Sequence, residues 1–205
     1  IGILSVIDRF SSFVCLFAIK SCTSEVIANK LFKVFSQIGV PAAILSDNAA
    51  NLVSKVMTIL MDRLGIKHVL TAPYRSQTNA LIERTHRTIG DNLRTLLNGK
   101  NYKDWNTKLP EILFALRSAV SPRTKKSPYE ILHGMPMSLP AERMLGTKVD
   151  PARKVVSDKE VVEYAQQLEE RIKLLHETHK RRLEELQEEM KLRYDSGVKM
   201  THEYT

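Results

Sequence analysis

The chain has 205 residues, 43% hydrophobic and 26% charged, with a net charge of +8. That length suits one domain with its own core plus an appendage. No apolar run reaches the roughly 20 residues of a membrane-spanning helix, no secretory signal is visible, and no membrane partner is expected. The charge is uneven: residues 1–140 carry 18 Lys/Arg against 9 Asp/Glu, and residues 141–205 carry 13 against 14. A basic first part suits a polyanionic partner such as nucleic acid, although solubility alone would also explain it. Cys15 and Cys22 have neither metal-type spacing nor a disulfide framework, so a reducing nuclear or cytoplasmic compartment is expected. Both read as small buried hydrophobes beside a strand.

In chain order, Ile1–Ile7 and Phe13–Lys20 are β-rich runs joined by the polar link Asp8-Arg9-Phe10-Ser11-Ser12, which predicts a hairpin. Thr23–Ile38 repeats apolar residues at helical spacing, with Ser24 or Thr23 as cap and Gly39 as stop. Pro41–Ser46 is a short apolar strand that ends at Asp47. Strand, helix, strand predicts a crossover that lays this strand parallel to an earlier one. Leu52–Leu64 is a second helix, Ile66–Thr71 a strand, APYRSQTN a loop and Ala80–Leu97 a long helix. Asp104–Val120 is helical again, with Pro110 opening or kinking its second segment and Trp105 as a core anchor. SPRTKK is a loop and SPYEILHG a short helix. Three of the eight prolines fall in 136–157, without a period, which marks a linker over 141–156.

Residues 157–195 form one long charged helix. Its narrow stripe (Val161, Tyr164, Leu168, Ile172, Leu175, His179, Leu183, Leu186, Met190 and Tyr194) either packs against a partner helix or pairs as a coiled coil. Residues 196–205 begin a further region.

Two acids stand out. Asp47 ends a strand and Glu83 lies near the start of the long helix, with 35 residues between them. Carboxylates so placed can face one crevice and hold Mg²⁺ or Mn²⁺, hard ions that take oxygen ligands. Such ions can activate an attacking oxygen and stabilise a leaving one at phosphorus, normally with a third acid. Arg75, Arg84, Arg87 and Arg94 surround Glu83 with positive charge suited to phosphate. Spacing alone equally describes a Glu83–Arg87 surface pair worth a few tenths of a kcal/mol. His86 either touches phosphate or is a solvated helix residue. His176 and His179, at i,i+3, read as solvated, and Ser46 and Ser76 lack partners arranged for nucleophilic catalysis.

The blocks LSDNAANLVSK and LTAPYRSQTNALIERTHRTI resemble the integrase core of retroviruses and LTR retrotransposons. LPEILFALRSAV and SPYEILHGMPMSLP resemble that family's closing helices, and the likeness covers about residues 1–140. It implies an α/β, RNase H-like mixed sheet flanked by helices, and metal-dependent polynucleotidyl transfer: 3′-end processing, then strand transfer. It implies Asp47 and Glu83 as catalytic metal ligands, Gln77 and Asn79 in a loop that meets the DNA end, DNA as partner, and a homo-oligomer. Ala49 and Ala80 replace favoured glycines, Ser76 a proline and Leu52 a phenylalanine; an alanine forced to φ > 0 would cost about 1 kcal/mol. SVIDRFSSF resembles the hairpin that follows the family's first strand, so Asp8, 39 positions before Asp47, reads as a turn residue. The resemblance then puts the first strand and its catalytic acid upstream of Ile1, leaves two of three ligands here, and predicts impaired catalysis. No His and Cys pairs form a zinc site. The alternative is a non-catalytic, domesticated or decayed DNA-binding and oligomerisation module.

Overall fold

The computed structural model describes residues 2–71, 76–97, 102–122, 124–144 and 158–197. The chain divides into two compact units: Ile1–Asp8 with Val14–Leu116, and Arg9–Phe13 with Arg117–Thr205.

The first unit starts with the predicted hairpin. β1 (Gly2–Ile7) and β2 (Val14–Ile19) pair antiparallel, from Gly2↔Ile19 to Ile7↔Val14. Side chains alternate across a strand, so Ile3, Ser5 and Ile7 share a face with Val14, Leu16 and Ala18. The opposite face carries Leu4, Val6, Cys15, Phe17 and Ile19. On that side α1 (Ser24–Ile38) contacts both strands, with Lys30 Nζ 5.5 Å from the centroid of the Phe17 ring. Thr23 caps α1 by accepting the Val26 N–H. Gly39 stops it at φ 89°, donating its N–H to the Phe35 carbonyl.

β3 (Ala43–Ser46) and β4 (Lys67–Leu70) follow, joined through α2 (Lys55–Arg63). β3 is parallel to a neighbour, as expected, but the neighbour is the later strand β4, in register Ala43↔Lys67 to Ser46↔Leu70. Among the described residues, β1–β2 and β3–β4 are separate two-stranded sheets. The short crossover α2, its buried Met57 and Met61 facing inward, returns the chain beside β3. Ser54 caps α2, so the helix starts three residues later than its apolar stripe suggested. Cys15 is buried as expected. Cys22 is exposed, because it lies past the end of β2 in the connection to α1.

α3 (Ser76–Leu96) starts earlier than expected and takes in the end of the predicted loop. A 3₁₀ segment (Tyr102–Lys108) then leads into α4 (Leu109–Ser118), where Pro110 sits in the first turn and its missing N–H is harmless. The hairpin face bearing Val14 and Leu16 packs with Ile89 of α3 and Leu109 and Ile112 of α4, and half-buried Trp105 packs against this cluster.

The second unit contains α5 (Pro128–His133), α6 (Pro140–Met144) and α7 (Asp158–Gly197). Ser127 caps α5 by accepting the Glu130 N–H at 3.1 Å, and Gly134 closes it at φ 74°. α7 packs on α5. A Cβ at Gly134 would overlap Ile172 of α7. The apolar stripe of α7 is thus used within the chain, at least at Leu168 and Ile172.

His176 and His179 are not solvated. His179 is 6% exposed and its Nε2 lies 2.8 Å from the Phe10 carbonyl oxygen; His176 Nε2 lies 2.7 Å from that of Ile131. The Phe10 ring meets both imidazoles edge-on, at 5.2 and 4.9 Å. These two histidines lie on the docked face of α7, where a ring nitrogen withdrawn from water needs a partner such as the two carbonyls.

The His133 ring lies tilted against Tyr129 (4.3 Å) and meets Phe13 edge-on (5.8 Å), while Arg117 lies 4.2 Å over the Phe13 ring. Burial, and then the Arg117 charge, lower the His133 pKa below its ordinary value. The unfolded chain therefore takes up this proton first as pH falls, and stability contributed at this position declines below about pH 6.5. Urea midpoints at pH 7.5 and 5.5 are expected to differ less in His133→Gln than in the unsubstituted chain. An equal difference in both would contradict this assignment.

Candidate metal and nucleic-acid site

Asp47 is the first residue after β3, and its carboxylate is exposed. Its Oδ1 accepts the Ala49 N–H at 3.2 Å, closing an Asx turn. Ala49 does not have positive φ, so its side chain carries no left-handed penalty here; Ala80 lies within α3. The backbone before Asp47 is fixed by β4: Thr71 N–H donates to the Ser46 carbonyl at 2.9 Å. The Ser46 side chain is engaged as well. Its Oγ lies 2.8 Å from His68 Nε2 and donates to the Asp47 carbonyl at 3.0 Å. Ser46 therefore has a histidine partner after all, but its proton points to a main-chain oxygen, which is not the arrangement of an activated nucleophile.

Glu83, Arg84 and Arg87 are all exposed on α3, and Ile89 lies on the buried face of the same helix. Among the described residues no ion pair joins Glu83 to Arg87, so the surface-pair alternative is not what this helix forms. Arg94 instead pairs with Asp91 at 2.6 Å. His86 is exposed and its Nε2 lies 2.6 Å from Ser5 Oγ of β1, tying α3 to the hairpin. A shallow, mostly apolar groove lined by Ile3, His86, Ile89, Gly90 and Leu93 runs beside that contact.

Gln77 and Asn79 belong to the first turn of α3 and not to a loop. Their side chains, and Arg75, lie outside the described residues. Asp8 is half-buried immediately after β1, where the hairpin turn begins. Ser11 in that turn is buried and accepts the Phe13 N–H, and Ser12 takes φ 62°. Among the described residues no three His, Cys, Asp or Glu side chains gather as a metal cluster. Asp47 and Glu83 are exposed carboxylates on separate elements, the end of β3 and α3.

No family model matches the chain. Curated relatives do. It is 34% identical over 138 residues to the Pol polyprotein of Radiation murine leukemia virus (strain Kaplan), covering 67% of this chain and 24% of that protein. It is 34% and 36% identical, over 135 residues each, to the Gag-Pol polyproteins of Feline leukemia virus and Gibbon ape leukemia virus, covering 65% of this chain and 8% of each. The chain thus spans a quarter or less of the relatives it matches. Among solved structures it is similar to a chain of the simian T-cell lymphotropic virus intasome in complex with PP2A regulatory subunit B56 gamma. The TM-score is 0.57 at 23% identity, covering 68% of this chain and 54% of that one. The catalytic core domain of BIV integrase matches with TM-score 0.56 at 21% identity, covering 71% of this chain and 90% of the other. This is the fold of a retroviral integrase core, RNase H-like. Within this fold Asp47 directly follows β3 and Glu83 lies on α3. The Ser46–His68 contact carries no motif. Finding it requires the β3–β4 register, which puts His68 diagonal to Ser46 on one sheet face.

Proposed function

We propose that this chain is an integrase-type core that engages DNA and supports metal-dependent polynucleotidyl transfer. One observation carries the reading: in an integrase core fold, Asp47 is held exposed at the end of β3, and Glu83 is exposed on α3 beside the exposed Arg84 and Arg87. Asp47 and Glu83 offer oxygen donors only, which suits Mg²⁺ or Mn²⁺ and not zinc. Bound there, the ion would supply Lewis-acid stabilisation of charge at phosphorus. Arg84 and Arg87 hold phosphate oxygens, and Arg75, Gln77 and Asn79 receive the DNA end. A second copy of the chain and a nuclear or cytoplasmic setting complete the reading.

The test combines an ion with DNA. Binding of a duplex end is measured against salt, with and without Mn²⁺. Arg84→Ala and Arg87→Ala are each expected to reduce the slope of log K against log salt by about 0.9. Asp47→Asn and Glu83→Gln are expected to tighten metal-free binding, because each removes negative charge facing phosphate, and to abolish any gain from Mn²⁺. Binding that ignores Mn²⁺, in the unsubstituted chain and both carboxylate variants alike, would favour the non-catalytic module instead.

A further inference from the structure

We propose that His68 is a positioning residue for the Asp47 carboxylate, acting through the Ser46 hydroxyl; this rests on the reading of Asp47 as a metal ligand. The proton count sets the direction of the relay. Ser46 has a single hydroxyl proton, and it goes to the Asp47 carbonyl at 3.0 Å. His68 is therefore taken as the Nε2–H tautomer, which donates across the 2.8 Å contact to Ser46 Oγ and leaves the serine proton for the Asp47 carbonyl. His68 donates to Ser46, and Ser46 donates to the main chain of Asp47.

That last bond matters because of what the Asp47 carbonyl belongs to. It is part of the peptide plane that joins Asp47 to Asn48. The orientation of this plane decides where the chain goes next, and so whether the Ala49 N–H meets Asp47 Oδ1, as it does at 3.2 Å. Rotating the plane would release the Asx turn and let the carboxylate sample other rotamers. Asp47 is exposed and lies just beyond the last ladder residue of a four-residue strand, so little else restrains it. The main chain on the other side is already fixed by Thr71 N–H on the Ser46 carbonyl. Backbone pairing thus holds Ser46, and the His68–Ser46 relay carries that order one residue further, onto Asp47. The register makes this possible: Ser46 faces Leu70 and Ile44 faces His68, so His68 and Ser46 share a sheet face. A ligand held in one orientation binds its ion more tightly, because the ion need not order it.

The experiment has two readouts. Mn²⁺ affinity is measured by EPR titration, and exchange of the Ala49 amide proton by NMR without metal. His68→Leu and Ser46→Ala are each expected to weaken Mn²⁺ binding about three- to tenfold, the size of one lost hydrogen bond, and to speed Ala49 exchange several-fold. The double variant should be no worse than either single one, because both break the same relay. His68→Gln, whose amide can still donate to Ser46, should recover most of the affinity; a merely space-filling histidine would not distinguish Gln from Leu in this way. Unchanged Ala49 exchange in His68→Leu, alongside faster exchange in Asp47→Ala, which removes the acceptor of the Ala49 N–H, overturns the proposal. If Asp47→Asn leaves Mn²⁺ affinity unchanged, the metal-ligand reading of Asp47 fails, whereas the exchange readout still decides whether His68 orders the turn.

Discussion

Gly134→Val is expected to undock α7 from α5. Gly134 is buried, has φ 74°, and faces Ile172 Cγ1 and, farther off, Leu168 Cδ1 of α7. A β-branched residue there meets two separate penalties. The left-handed backbone costs a non-glycine residue about 1 kcal/mol, and the overlap with Ile172 costs about 1–3 kcal/mol more. The clash falls at Cγ1, close to the Ile172 backbone, so rotation of the side-chain tip does not relieve it. Opposing this are the His176 and His179 bonds to the Ile131 and Phe10 carbonyls, each contributing roughly 1 kcal/mol. The penalties match or exceed those contributions. In Gly134→Val, both histidine ring environments should shift toward free imidazole in NMR spectra, and amides of α7 should exchange faster. Retention of the Phe10–His179 ring contact with unchanged exchange would show that α7 is held mainly elsewhere along its length.

Much of this fold was legible because its boundaries are chemical. Thr23 caps α1 and Gly39 stops it with positive φ, both as the sequence marks them, whereas the Ser54 cap of α2 lies inside the expected apolar stripe. The hairpin followed from two β-rich runs joined by a short polar link. The errors arose where the pattern carries no such signal. Ser76–Asn79 is polar throughout, so it adds nothing to an apolar stripe; the sequence marked where α3 becomes amphipathic, not where it begins. The partner of β3 is not legible in the sequence, because local pattern gives a strand's direction of travel but not its neighbour. His179 lay on the predicted apolar stripe all along, between Leu175 and Leu183, and its place there signalled burial better than its polarity signalled exposure.

The candidate site was legible to a different degree. An acid after a strand and an acid on a helix are visible in one dimension, as is the run of arginines beside the second. Their supports are not. His68 and Ser46 are 22 residues apart and meet through a parallel register; His86 and Ser5 are 81 apart and meet because α3 lies on the hairpin. Such contacts depend on tertiary pairing, which no local period encodes. The hairpin turn makes the same point. Asp8-Arg9-Phe10-Ser11-Ser12 read as a polar connection, yet Phe10 supplies a carbonyl and a ring to α7.

Ile112→Ala should cost about 2–5 kcal/mol, the usual range for emptying a buried aliphatic site. Ile112 is 1% exposed and belongs to the cluster formed by Val14, Leu16, Ile89 and Leu109. The cavity would open between the hairpin and α4, against the buried face of α3. Glu83 and Arg87 are exposed on that helix, and Ile89 anchors it in this cluster, six residues after the acid. Two outcomes of the loss can be told apart. If α3 is seated chiefly by this cluster, Mn²⁺ affinity should fall together with the urea midpoint. If the His86–Ser5 contact and the half-buried Leu93 and Leu96 also hold it, stability should fall while affinity in the still-folded protein stays within about twofold. The second outcome is expected, because α3 touches the core over several turns and only one of its neighbours is shortened. Ile112→Val, which removes a single methyl, should cost only about 0.5–1.5 kcal/mol. Urea denaturation with an unchanged m value would confirm that the native packing was weakened and the unfolded chain left as it was.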